Sequence, residues 1–225
     1  MPCKTRSVPR IGILECDHVD DRYTSIGGDY ADMFAALLPS LDLVRYDVIN
    51  GAVPASPDEC DGWLATGSRH SVYEDLDWIA ATGAFVEKVH ADGVPFVGIC
   101  FGHQLLAHFT GGRTAKAEGW GVGAHDLVAG GSARLLYMHQ DQVVSLPDDG
   151  ELVASTDHCP NAVIRVGDSM LGIQAHPEFP GEYVEALLHA REERIGHDVV
   201  ERALASLEAR RDEDVAAGWI VSVLG

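Results

Sequence analysis

The sequence predicts an α/β protein: a mostly parallel sheet with helices on both faces, plus a smaller β-rich section. Short apolar runs such as Ile11–Leu14, Trp63–Ala65 and Val94–Ile99 read as buried strands. Stretches with apolar residues at helical spacing alternate with them, which is the pattern of a sheet covered on both sides. Residues 113–175 then change to glycines and short alternating pieces, which read as further strands.

Arg10–Glu15 is the first strand. Cys16–Gly28 is a polar loop ending in Gly27-Gly28. Asp29–Leu38 has helical spacing, and Pro39 stops it. Leu41–Ile49 alternates and holds β-branched residues, so it is a second strand. Pro54, Pro57 and Gly62 mark a loop before the short strand Trp63–Ala65. Trp78–Ala91 reads as a helix, Val94–Ile99 as the central strand and Gln104–Phe109 as the next helix, with a stop at Gly111-Gly112. Strands are expected at Gly121–Ala129, Glu151–Ser155, Ala162–Val166 and Met170–Ala175. Helices follow at Gly181–Ala190, Asp198–Arg210 and Asp212–Leu224. The apolar end Trp219–Leu224 packs on the domain or meets a second subunit, the former being the simpler expectation.

A chain of 225 residues suffices for one such domain, so residues 1–225 are expected to form a single unit with C-terminal helices from about 196. The formal net charge of −19 argues against nucleic-acid binding through a basic surface. No apolar run approaches membrane-spanning length, so no membrane partner is expected. The first ten residues carry charge but no apolar h-region of a secretion signal. Five cysteines, with no C-x-x-C pair, point to a reducing cytoplasm rather than a disulfide framework.

Residues 98–102, Gly-Ile-Cys-Phe-Gly, join a strand to a helix. A nucleophile flanked by small residues in such a turn is a nucleophile elbow, and here the nucleophile is a thiol, Cys100. Its position at a helix N-terminus favours the thiolate. A nucleophile needs a base, and the base needs an orienting group. Gln174-Ala175-His176-Pro177-Glu178 offers both. Pro177 biases His176 toward extended geometry, where residues two apart share a side, so His176 and Glu178 can project together.

Gly-Ile-Cys-Phe-Gly-His-Gln at 98–104, followed by His-Pro-Glu at 176–178, resembles the class I glutamine amidotransferases. The resemblance covers roughly residues 10–190 and is nearest to stand-alone members, to the glutaminase domain of GMP synthase and to gamma-glutamyl peptidases. It implies a flavodoxin-like fold, a Cys100–His176–Glu178 triad, and glutamine or another gamma-glutamyl compound as substrate. No metal and no cofactor are implied.

Acyl transfer also needs donors for the developing oxyanion. The amide of Phe101 is one, and the loop Gly67-Ser68 after the Trp63–Ala65 strand supplies the second. Family members often read Gly-Gly-Pro-x-Ser there, whereas this chain has Ser68 and Arg69 in place of a glycine and the proline. A backbone amide survives either change. The resemblance assigns Gln104 to the substrate's glutamyl group, and His139, Gln140 and Asp141 to its amino and carboxylate ends. Met138 stands where many members carry serine.

Other groupings carry less. Asp157-His158-Cys159 matches no zinc spacing and reads as a loop. His18, His70 and His103 are expected in loops near the cleft; His70 and Tyr73 read first as surface residues, with the pocket mouth as the alternative. Gly27-Gly28 is too isolated for a phosphate loop. The 225 residues hold no S-G-G-x-D-S motif of an ATP-pyrophosphatase. Three functions stay open. One is a glutaminase passing ammonia to a separate synthase, as the GMP synthase-like pattern suggests. The second is a free-standing gamma-glutamyl hydrolase, and the third is a non-catalytic binding protein on the same fold.

Overall fold

The computed structural model describes residues 8–128 and 132–225. Its strands are β1 (Arg10–Leu14), β2 (Asp42–Tyr46), β3 (Gly62–Ala65), β4 (Phe96–Ile99), β5 (Arg113–Asp126), β6 (Arg134–Ser145), β7 (Gly150–Ala154), β8 (Val163–Val166) and β9 (Met170–Ile173). Its helices are α1 (Thr24–Gly27), α2 (Tyr30–Leu37), α3 (Asp77–Ala91), α4 (Phe101–Phe109), α5 (Gly181–Ala190), α6 (Glu192–Ile195), α7 (His197–Ser206) and α8 (Glu213–Leu224).

Seven strands form one sheet in the order β2-β1-β3-β4-β9-β8-β7. The pairs from β2 to β9 are parallel, and β8 and β7 close the edge antiparallel. Period-two alternation sends Ile11, Ile13, Leu64, Val97, Ile99, Leu171 and Ile173 to one face, against α2 and α8. Leu14, Trp63, Ala65, Phe96 and Met170 face α3 and α4 on the other. Gly12 makes room there for the buried Trp63, because a Cβ at Gly12 would lie 2.2 Å from its indole ring. The mostly parallel sheet with helices on both faces is therefore the observed architecture.

Four segments differ from expectation. The second strand stops at Tyr46 rather than Ile49. Asp47 turns away to bond His18 and Asn50, and Val48 is buried at the head of a short 3₁₀ turn. The piece read as Gly121–Ala129 is part of β5, which pairs antiparallel with β6 as a separate two-stranded ribbon; Ala129 lies outside the described residues. His139–Val143, for which no strand was expected, belongs to β6. A register shift between Lys116 and Gly121, with positive φ at Gly119 and Gly123, breaks the alternation and hid the first half of β5. The seventh helix ends at Ser206 rather than Arg210.

At the C-terminus, Ala216, Ile220 and Leu224 of α8 are buried on the sheet, so the apolar end packs on the domain. Residues 1–7, including Cys3 and most of the segment inspected for a secretion signal, lie outside the described residues. No helix among the described residues is long and apolar enough to cross a membrane.

Candidate active site

Cys100 sits between β4 and α4, at the carboxyl end of the central strands, where open parallel sheets bind ligands. Its φ of 50° makes it the one non-glycine residue with positive φ among the described residues. Such strain persists only where the surroundings impose it. The flanking glycines impose it here. A Cβ at Gly98 would lie 2.2 Å from the carbonyl oxygen of Gly102, and one at Gly102 would lie 2.4 Å from that of Ala65. The elbow is thus wedged between β3 and α4. The Cys100 amide donates to Ile173 O at 2.8 Å, tying the turn to β9.

His176 and Glu178 project to one side, as the His-Pro-Glu spacing requires. Nδ1 of His176 lies 2.7 Å from Oε1 of Glu178, and both side chains are buried. The His176 amide donates to Leu136 O, which fixes this segment to β6. Phe179 stacks on the imidazole with centroids 3.8 Å apart and planes 9° apart. Gly67 also approaches the ring: a Cβ there would meet His176 Cε1 at 2.7 Å and Cys100 Cβ at 3.7 Å. Burial alone pushes the imidazole pKa down, but the Cys100 sulfur and the Glu178 carboxylate push harder, and the net direction is up, to about 10.

The amides of Gly67, Ser68 and Phe101 donate to no acceptor among the described residues. Phe101 opens α4, so its amide is one of the free donors of a helix N-terminus. The 67–71 loop is fastened at both ends. Arg69 donates to buried Asp17 through its amide and Nε at 2.8 Å, and through a terminal nitrogen at 2.8 Å. Ser71 Oγ bonds Asp141, and Tyr73 OH donates to the same carboxylate at 2.9 Å.

Ser68, His70, Tyr73, Cys100, Gln104 and the β6 residues His139, Gln140 and Asp141 line one cavity of about 290 Å³. Gln104 is nearly buried, and its Nε2 is committed to Asp141 O (2.8 Å) and Gln174 Oε1 (3.2 Å). His139 bonds Asp141 O through Nδ1 at 3.0 Å, and burial lowers its pKa to about 3, so it stays neutral. A larger groove of about 940 Å³ between α5 and α7 holds neither Cys100 nor His176.

One histidine expectation is corrected. His103 lies in no loop: it is fully buried in α4, packed against Gly172, where burial lowers its pKa to about 3. His18 lies in a loop as expected, in a depression that shares Arg69 and Arg191 with the Cys100 cavity, and bonds Asp29 and Asp47. Glu15, His18 and Asp29 bring ligand atoms within 4.8 Å of one another, the one such group among the described residues. Both His18 nitrogens are already bonded there, and Asp29 also caps α2.

The sequence reading passed over Gln174, Phe179, Trp120 and the cations Lys116, Arg191 and Arg194. Gln174 is fully buried, and its Nε2 donates to Cys100 Sγ at 3.5 Å. A polar residue ending an apolar strand was its only signal. Lys116, Trp120, Arg191 and Arg194 line the cavity from β5 and from either end of α6.

A strained strand-to-helix turn at Cys100 on a mostly parallel sheet, with a buried His–Glu pair after β9, places the chain in the class of doubly wound α/β proteins. Within that class the chain belongs to the class I glutamine amidotransferases, whose family model matches residues 19–188. It is 31% identical over 160 residues to gamma-glutamyl peptidase 3 of Arabidopsis thaliana, covering 63% of this chain and 64% of that protein. A glutamine amidotransferase-like protein of Schizosaccharomyces pombe is 31% identical over 95% of this chain and 98% of its own length. GMP synthase of Thermomicrobium roseum is 30% identical, and the chain spans 43% of it. A glutamine amidotransferase structure from Methylobacillus flagellatus superposes with a TM-score of 0.73 at 19% identity, covering 97% of this chain and 96% of that one, a likeness of fold.

Proposed function

We propose that this protein hydrolyses a gamma-glutamyl amide through a thioester on Cys100. The observation that carries the reading is the surroundings of His176: Glu178 on Nδ1, Phe179 stacked on the ring, and Gly67 close to both the ring and Cys100. Glu178 holds the Nδ1 proton, so Nε2 is the atom left for the sulfur. The Cys100 thiolate attacks the side-chain carbonyl carbon. The oxygen takes the electron pair and is held by the amides of Phe101 and of Gly67 or Ser68. The C–N bond then breaks, and His176 gives its proton to the departing amine. Water, deprotonated by His176, attacks the thioester, and glutamate leaves as the thiolate re-forms.

This chemistry needs a free thiol. The four described cysteines are unpaired, which agrees with action in a reducing cytoplasm. A second reading shares the same steps and differs in the fate of the amine. The similarity to GMP synthase supports ammonia supply to a separate synthase subunit.

The test is glutamate release from glutamine and from gamma-glutamyl dipeptides by wild type and Cys100→Ala. Turnover by the wild type and none by the variant is the expected result. Undiminished turnover in Cys100→Ala refutes the mechanism. Activity on glutamine alone, appearing only with a partner subunit, would favour ammonia supply.

A further inference from the structure

We infer that the amine portion of the substrate carries a net negative charge, seated by Lys116, Arg191 and Arg194. The inference rests on the gamma-glutamyl reading of the Cys100 site and names which gamma-glutamyl compounds that site selects.

The chain holds 16 lysines and arginines against 35 carboxylates. Four of those cations nevertheless line the one cavity that contains Cys100. Arg69 is neutralised by Asp17. Lys116, Arg191 and Arg194 have no carboxylate within ion-pair distance among the described residues. The cavity's single carboxylate, Asp141, is already engaged by Ser71 and Tyr73. Arg194 lies over the Trp120 ring at 4.9 Å, and Trp120 lines the same cavity, so this guanidinium is oriented without an anion.

Three like charges around one cleft repel each other until an anion arrives, and a cleft with low-dielectric walls concentrates their field. The glutamyl end cannot absorb that charge alone. Its α-carboxylate and α-ammonium sum to zero, and free glutamine is neutral for the same reason. The surplus therefore faces the other side of the scissile bond. A peptide or conjugate with an acidic amine part meets it; ammonia as leaving group does not. The cations come from β5 and from the ends of α6, so the selecting wall is separate from the elbow that does the chemistry.

The experiment compares kcat/KM for gamma-Glu-Glu, gamma-Glu-Lys and glutamine in wild type and in the double variant Lys116→Gln/Arg194→Gln. Both residues are exposed, so the fold should survive. Wild type should prefer gamma-Glu-Glu to gamma-Glu-Lys by about 10-fold or more at low ionic strength, and the preference should shrink toward 1 M salt, where the Debye length falls to about 3 Å. The double variant should lose the preference while keeping most of its rate on gamma-Glu-Lys. An equal loss on all three substrates would assign the cations to the shared α-carboxylate and overturn the inference, as would no change. If wild type cleaves none of them, the hydrolase reading fails by itself. Calorimetric binding to Cys100→Ala then decides the subsite: tighter gamma-Glu-Glu than gamma-Glu-Lys retains it, and equal affinity removes it.

Discussion

Gly67 faces His176 so closely that a methyl group on its Cα would lie 2.7 Å from Cε1 of the ring. Glycine is needed at this position for space, since its backbone is not in the left-handed region. Phe179 stacks on the imidazole and blocks retreat. Gly67→Ala should therefore tilt the ring away from Cys100 while leaving the sheet intact. We expect kcat to fall by roughly 10²-fold, the scale of an ångström-sized misplacement, with a thermal midpoint within a few degrees of wild type. An unchanged kcat would mean the ring is not held where the geometry indicates.

The charge on His176 couples the site to stability. Its folded-state pKa is raised from 6.5 to about 10; burial opposes the shift, and Cys100 and Glu178 outweigh it. A raised pKa means that the protonated ring favours the folded state. That contribution is fully present below 6.5 and is lost as pH rises toward 10. The thermal midpoint of wild type should therefore fall more steeply between these limits than that of His176→Ala. Thermal unfolding at half-unit pH steps measures the difference, and parallel curves would contradict the charged-ring assignment.

How far the sequence carried differs by element. Short apolar runs and glycine-bounded turns announce parallel strands directly, so β1, β3, β4 and β9 were legible, and the elbow and the His-Pro-Glu segment with them. Of the β5–β6 ribbon only the piece from Gly121 was. Its alternation is interrupted between Lys116 and Gly121, and half of it lies on the far side of residues 129–131. His139 and Asp141 were thus found as pocket residues but not placed on a strand. Gln104 was expected to reach substrate, yet the Nε2 end of its amide is used by Asp141 and Gln174. The cationic wall was illegible because Lys116 and Arg194 are far apart in the chain and meet only through the packing of α5 and α7 with the ribbon.

Gln174 links the nucleophile to the pocket wall. Its Nε2 donates to Cys100 Sγ at 3.5 Å, and its Oε1 accepts from Gln104 Nε2 at 3.2 Å. Gln174→Leu keeps the volume and removes both bonds. Leaving Gln104 half-satisfied should cost about 1–2 kcal/mol of stability. The rate of Cys100 alkylation separates positioning from bulk packing. The leucine variant should alkylate more slowly below neutral pH, because a donor to the thiolate is gone. Gln174→Glu restores an acceptor for Gln104 but sets a carboxylate beside the sulfur, so alkylation should slow further. Equal rates in all three proteins would reduce Gln174 to a filler of space.

Arg69 stands where the family pattern has proline, and the structure shows what stiffens the loop instead. Asp17 is buried at the end of β1 and takes three hydrogen bonds from Arg69, one from the amide and two from the guanidinium. A proline restrains φ through its ring; here a fork-like ion pair fixes the loop from outside. The arginine is more than half exposed, so the pair contributes little to global stability, about 1 kcal/mol or less. Its weight falls on geometry, because the next residues back, Ser68 and Gly67, offer the free amides beside Cys100. Arg69→Ala and Asp17→Asn should each lower kcat by roughly 10–100-fold, within the cost of a misplaced oxyanion donor. Since each removes the same restraint, the double variant should be no slower than the worse single one, a coupling that a double-mutant cycle measures directly. Additive losses would mean that Asp17 and Arg69 act on separate features of the site.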